Sequence, residues 1–334
     1  QLVYGPFSDR FGRRPTLIFG ACLYTIASLG CSFAPSLGWL IVGRFFQAVG
    51  ACAGQVVGRA IIRDNHEGAA AARMFGLIAT GVVLVPVVGP TIGGMLQSSF
   101  GWPSVFVMVG LTGMLVAIAV ISLLPETNRH KDPHATAPRS IARNFAMILR
   151  HREFIGFTLV TAFAYAGVAV WLSLSPFVLI ELLGLTPTWF GVVFGAPVIG
   201  YIVTNFMVAR LVTRYGILRL LHVGTLGAAA AGTISIGLAL AGQQSIAAIA
   251  LPTLLYMIAI GLNQPAGTAG AITPFARHAG SAAALLGCIQ MLTGAAAGFL
   301  SARLHTGTTL VLAAGLAVAG WGGYLTFRLI LQRR

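Results

Sequence analysis

Carboxylates are scarce in this chain. Seven Asp and Glu stand in 334 residues against 21 Lys and Arg, and charged residues of either sign reach only 8%. Soluble domains carry roughly 25%. With 57% hydrophobic residues and a mean hydropathy of +0.88, a water-facing globular surface is excluded. The composition predicts an all-α polytopic membrane protein, because a span in hydrocarbon must satisfy its own backbone groups. Cysteine is scarce too. Cys22, Cys31, Cys52 and Cys288 lie in apolar runs with no CxxC spacing, so they read as small hydrophobes rather than disulfides or metal ligands. No P-loop, HExxH, Rossmann glycine pattern or Ser-His-Asp constellation is present. The expectation is therefore no enzyme, no cofactor and no metal. A net charge of +14 would point to nucleic acid in a soluble protein. Here the basic residues are scattered over connectors without interleaved aromatics, so the expected partner is the lipid bilayer and not nucleic acid.

Ten apolar runs of spanning length can be read, at approximately 15–35, 38–61, 70–97, 102–124, 154–179, 187–209, 219–241, 246–270, 281–302 and 308–329. Residues 1–6 read as the tail of one more. All of the 21 basic residues except Arg44 and Arg303 fall on one side of this alternation. The positive-inside bias makes that side cytoplasmic, together with the C-terminus. The longest polar stretch, 126–152, contains Pro133, Pro138 and the histidines His130, His134 and His151, and reads as a solvated cytoplasmic linker. It divides the chain into an N-terminal half, 1–125, and a C-terminal half, 153–334.

Gly5-Pro6-Phe7-Ser8-Asp9-Arg10-Phe11-Gly12-Arg13-Arg14-Pro15 packs an acid, three arginines and two glycines between apolar segments. Charges cannot lie in hydrocarbon, so the string is expected to be a short surface loop. Gly5 and Gly12 would allow tight turns or close helix approach. Ala209-Arg210-Leu211-Val212-Thr213-Arg214-Tyr215-Gly216 echoes it at the equivalent place after the linker, without the acid. The opening string resembles the G-x-L-x-D-R-x-G-R-R loop of the major facilitator superfamily, which joins the second and third helices. That resemblance implies a six-plus-six helix plan with two halves rocking about a central site, and a first helix and most of a second ahead of Gln1. It also implies a cytoplasmic gate built from Gly5, Asp9, Arg10, Gly12, Arg13, Arg14 and Asp64. Asp9 would face the helix start near Gly280-Ser281, and Arg13 would pair with Asp64.

Arg44 lies about two turns inside the second full span, where a charge is costly and therefore a functional candidate. At helical pitch it shares a face with Gln47, Ala51 and Gln55, beside a Gly50, Gly54, Gly58 ridge suited to close helix contact. The string is similar to the R-x-x-Q-G motif of drug antiporters, which assigns Arg44 and Gln47 to proton coupling. Gly81, Pro86, Gly89, Pro90, Gly93 and Gly94 combine helix-bending prolines with a small-residue contact. They resemble the Gly-Pro-x-x-Gly-Gly antiporter motif, which symporters of the superfamily usually lack. With Arg59 to Asp64, Ser173 to Glu181 and Ala279 to Gly287, the chain from Gly5 to about Gly298 resembles the bicyclomycin/chloramphenicol-resistance branch of bacterial drug:proton antiporters.

Among the few polar groups inside the spans of the second half are Tyr165, Trp171, Asn205, Asn263, Gln264 and Gln290. With Gln55 they are the expected cavity residues for a poorly charged drug. All seven acids fall at or near span ends, none at mid-membrane. The resemblance therefore places the titrating carboxylate in the first helix. The expected function is proton-coupled export of small amphipathic drugs by alternating access, by a monomer in the bacterial inner membrane. The alternative is a proton-coupled uptake symporter or a metabolite exporter of the same superfamily. For either, the partners are small molecules and protons.

Overall fold

The computed structural model describes residues 1–65, 85, 89, 92–128, 138–305 and 307–332. Among them nine helices are long and apolar enough to cross a membrane, and no strand is present. Most of the expected span at 70–97 lies outside the described residues. So do Gly81, Pro86 and Pro90 of the glycine-proline motif, and His130 and His134. The chain forms two compact units, Gln1–Arg143 and Asn144–Arg334.

The first unit contains α1 (Tyr4–Phe11), α2 (Arg13–Ser32), α3 (Leu37–Asn65), α4 (92–100) and α5 (Pro103–Leu123). α2 lies against both α3 and α5. Small residues set the α2–α3 approach: a Cβ on Gly50 would stand 2.5 Å from the Tyr24 nitrogen and 2.6 Å from the Gly20 carbonyl. The expected ridge is shorter than the glycine spacing implies. No described atom lies within 4 Å of a Cβ placed on Gly54 or Gly58, because the face turned toward α2 continues through Ala53, which packs on Gly20, rather than through the later glycines.

The opening charged string is not a loop. Gly5, Asp9 and Arg10 lie in α1, Arg13 and Arg14 open α2, and the chain breaks at Gly12 alone. Gly12 takes φ 109° and ψ 159°, a conformation open essentially only to glycine. A helix can carry charges past the hydrocarbon on its last turn, so the charges do not require a loop. Among the described residues Gly5 makes neither a turn nor a close contact, since no described atom lies within 4 Å of a Cβ placed there.

After α6 (Pro138–Leu149), the second unit contains α7 (Arg152–Pro176), α8 (Pro187–Tyr215), α9 (Ile217–Leu240), α10 (Ile246–Ile272), α11 (Ala279–Arg303) and α12 (Leu310–Thr326). α7 continues as a π-helical turn over Phe177–Leu182, and α12 over Phe327–Leu331. α7 is the axis of the unit, in contact with α10, α11 and α12. Trp171, Tyr256, Met257, Ile260 and Leu316 fill its core. α8 and α9 meet at Gly216, with φ 78° and ψ 161°, so the glycine break of the first unit recurs at the echoing string.

Candidate functional site

The densest polar cluster surrounds the Gly12 break. Arg13 is only 5% exposed, and its guanidinium makes three hydrogen bonds through Nε and Nη1. Nε donates to Asp64 Oδ2 at 2.9 Å, and Nη1 donates to Asp9 Oδ1 at 2.5 Å and to Ser8 Oγ at 2.7 Å. One arginine thus ties α1, α2 and the far end of α3 together. α3 runs to Asn65, past the expected end near 61, and this extra turn carries Asp64 to Arg13. Arg10 lies over the Phe11 ring at 5.2 Å. The Gly280-Ser281 helix start, expected beside Asp9, belongs to the second unit.

Two residues that the sequence pattern assigns to the linker complete the cluster. Glu126 accepts from the backbone N–H of Arg13 at 2.9 Å and of Arg14 at 3.3 Å. It caps the start of α2, where unpaired N–H groups and the helix dipole favour an anion. Asn128 Nδ2 donates to the carbonyls of Ser8 at 3.3 Å and Asp9 at 3.1 Å, in the last turn of α1. Arg14 Nη2 returns the contact to the Ile121 carbonyl at 2.6 Å, near the end of α5. The segment after α5 therefore holds both sides of the break. A Cβ on Gly12 would stand 2.9 Å from the Glu126 carboxyl carbon, so any other residue there would displace this carboxylate as well as strain φ. The available signal was a carboxylate placed just past an apolar run, at the depth of a helix start with no capping side chain of its own.

A second chain of hydrogen bonds lies two turns into α3. Arg44 Nη1 donates to Gln47 Oε1. Gln47 is buried and its Nε2 donates to Ser28 Oγ at 2.6 Å; Ser28 Oγ in turn donates to the Tyr24 carbonyl at 2.6 Å. Phe106 of α5 stands 6.0 Å from the Arg44 guanidinium carbon. Helical spacing gives the Arg44–Gln47 pair, but not Ser28 or Phe106, which come from other helices. Gln55 is apart from this chain and accepts from the Gln1 side chain at 3.2 Å. No described atom lies within 4 Å of a Cβ placed at Gly89, Gly93 or Gly94.

In the second unit, Gln290 Nε2 donates to Gln264 Oε1 at 3.1 Å, and Gln264 Nε2 reaches the Thr161 carbonyl at 3.5 Å. This joins α11, α10 and α7. Tyr165 sits against Gly294, and Asn205 hydrogen-bonds the Tyr201 hydroxyl. Two expected cavity residues are core instead. Trp171 is 0% exposed and stacks on Phe194 at 6.0 Å between ring centroids. Asn263 is 2% exposed and lies against Gly224 of α9. Both sit on helix faces turned toward neighbouring helices, which a count of polar residues per span does not distinguish from faces turned toward a cavity.

A family model described as Major Facilitator Superfamily matches residues 1–298. The bicyclomycin resistance protein homolog of Haemophilus influenzae is 26% identical over 95% of this chain and 80% of that protein. The chloramphenicol resistance protein of Pseudomonas aeruginosa is 27% identical over 86% of this chain and 68% of that protein. Among solved structures, the xylose transporter XylE from E. coli superposes with a TM-score of 0.75, at 15% identity, over 99% of this chain and 84% of that one. That last likeness concerns the fold.

Proposed function

The chain belongs to the major facilitator superfamily, and on that premise we propose that it exports small amphipathic drugs in exchange for protons by alternating access. It is a multi-pass membrane transporter rather than an enzyme. The observation that carries the drug-export reading is the relatives spanning most of its length, which are named for resistance to bicyclomycin and chloramphenicol. We place it in the bacterial inner membrane with the basic ends of its helices cytoplasmic.

The two clusters of the first unit have separate parts in this proposal. The Arg13 cluster is a gate: its ion pairs to Asp9 and Asp64 hold the closed arrangement and part when the transporter opens. In this proposal Arg44 acts on the groups around it as a fixed positive charge rather than carrying the proton itself. Gln47 and Ser28 fix the guanidinium in place. The Gln264–Gln290 pair offers uncharged donors and acceptors to a drug with little charge of its own.

Arg44→Gln in the full-length protein is expected to lower proton-driven export by at least about tenfold while drug binding stays within about threefold, as for an interaction used in the transport step rather than in ground-state binding. Export assayed in cells and binding assayed on purified protein check this. Normal export by the variant would remove Arg44 from the coupling mechanism.

A further inference from the structure

Charge is balanced very differently in the two units. Around Gly12 the arginines have acids of their own: Arg13 bridges Asp9 and Asp64. From Asn144 onward the sequence holds only two acids, Glu153 and Glu181. Glu181 lies in the π-helical turn at the far end of α7. At the near end, Arg150, Arg152, Arg214, Arg219 and Arg328 are all exposed, and Glu153 can neutralise at most one of them.

Arg152 opens α7, Arg219 lies in the first turn of α9, and Arg328 lies in the π-helical turn after α12, which touches both α7 and α9. Arg152 Nη2 donates to the Leu329 carbonyl at 3.2 Å, within the π-helical turn that follows α12. Arg328 precedes Leu329. Arg219 lies one turn before His222, whose ring is 5.5 Å from that of Phe327 and 6.2 Å from that of Tyr324. His222 Nδ1 is buried with no hydrogen-bond partner. Around this basic rim the two helices present apolar surface: Val223 on α9 and Leu325 on α12, about one turn deeper than Arg219 and Arg328, and Leu218 and Leu329 next to those arginines in the chain, are each about half exposed. α9 and α12 pack along each other, so these exposed residues lie on two adjoining helices.

We propose that this corner of the second unit is a binding site for an anionic phospholipid. The phosphate is held by Arg152, Arg219 and Arg328, and the acyl chains lie along α9 and α12. Excess positive charge at a membrane surface attracts anionic headgroups. The apolar surface around the rim selects a lipid over a soluble phosphate, which would meet the charge and leave that surface uncovered. The role exceeds topology, for which basic residues need neither lie on adjoining elements nor stand beside exposed apolar side chains.

Native mass spectrometry of the full-length protein, released from mixed phosphatidylglycerol and phosphatidylcholine, tests the site. Phosphatidylglycerol adducts are expected to dominate, and R219Q/R328Q to lower them on the order of tenfold. This variant keeps the Arg152–Leu329 hydrogen bond, and its melting temperature in phosphatidylcholine should match that of the parent. R303Q, at the opposite end of the unit, should leave the adducts unchanged. Equal retention of the two lipids, unaltered adducts in R219Q/R328Q, or an equal loss in R303Q would overturn the proposal. Stabilisation by glycerol 3-phosphate equal to that by phosphatidylglycerol would overturn it in favour of a small-anion site.

Discussion

Replacing Arg13 by alanine is expected to lower the stability of the full-length protein by about 2 kcal/mol and to abolish drug export. Removing one member of a buried ion pair costs roughly 3–5 kcal/mol, because the partner is left with its charge uncompensated. Here the figure is lower, since Asp64 and Asp9 keep side-chain exposures of 20% and 47% and water can replace part of the loss. The effect on export is larger than the effect on stability because three elements meet at this one side chain. Arg13→Lys distinguishes charge from geometry. A lysine supplies a point charge but not the fork that reaches Asp64 through Nε while Nη1 holds Asp9 and Ser8. It should recover part of the stability and little of the export. A thermal melt in detergent beside an export assay separates the two, and full export by Arg13→Lys would show that charge alone suffices.

Gly12→Ala is the second large effect. The backbone at φ 109° and ψ 159° lies in a region essentially reserved for glycine, and occupying it with another residue costs about 1–3 kcal/mol. The new methyl also points into the Glu126 carboxylate. That carboxylate would have to leave the backbone N–H groups of Arg13 and Arg14, so the substitution removes the cap of α2 as well as straining the break. The sum is expected to be about 3 kcal/mol, near the limit a single substitution usually reaches. Gly216→Ala is a useful comparison. Its backbone is similar, but nothing lies within 4 Å of the added methyl. Its cost should be the strain alone, smaller by the value of the cap. Equal losses of melting temperature at the two sites would show that Glu126 contributes nothing to the first.

The spans are legible in the sequence because hydrocarbon imposes a length and a composition on each of them. α5, α9 and α10 begin and end within a few residues of the apolar runs that predict them. The alternation of basic connectors is legible for the same reason. Contacts between elements are less so. Glu126 reaches Arg13 across 113 residues, and nothing in the local pattern of either segment announces the other. Expecting a loop at the charged string equates charge with irregular backbone, whereas a single glycine is enough to turn the chain. In α3, a four-residue glycine period identifies a helix face but not whether α2 packs on that face beyond Gly50, where Ala53 rather than Gly54 meets α2. Among the described residues only Gly50 of that series has a close neighbour. Trp171 and Asn263 show the same gap in the second unit: polarity marks them, and the direction of each side chain, set by which helices flank α7 and α10, decides their place in the core.

Uptake by symport is the principal rival to drug export. The fold does not separate the two, since a D-xylose-proton symporter shares it. Direction and coupling do. The most direct measurement is drug accumulation in cells expressing the full-length protein, with and without a protonophore. The proposed function predicts low accumulation that rises to the level of cells lacking the protein once the proton gradient is dissipated. Accumulation that stays low after the gradient collapses, or that is higher with the protein than without it, would contradict proton-driven export.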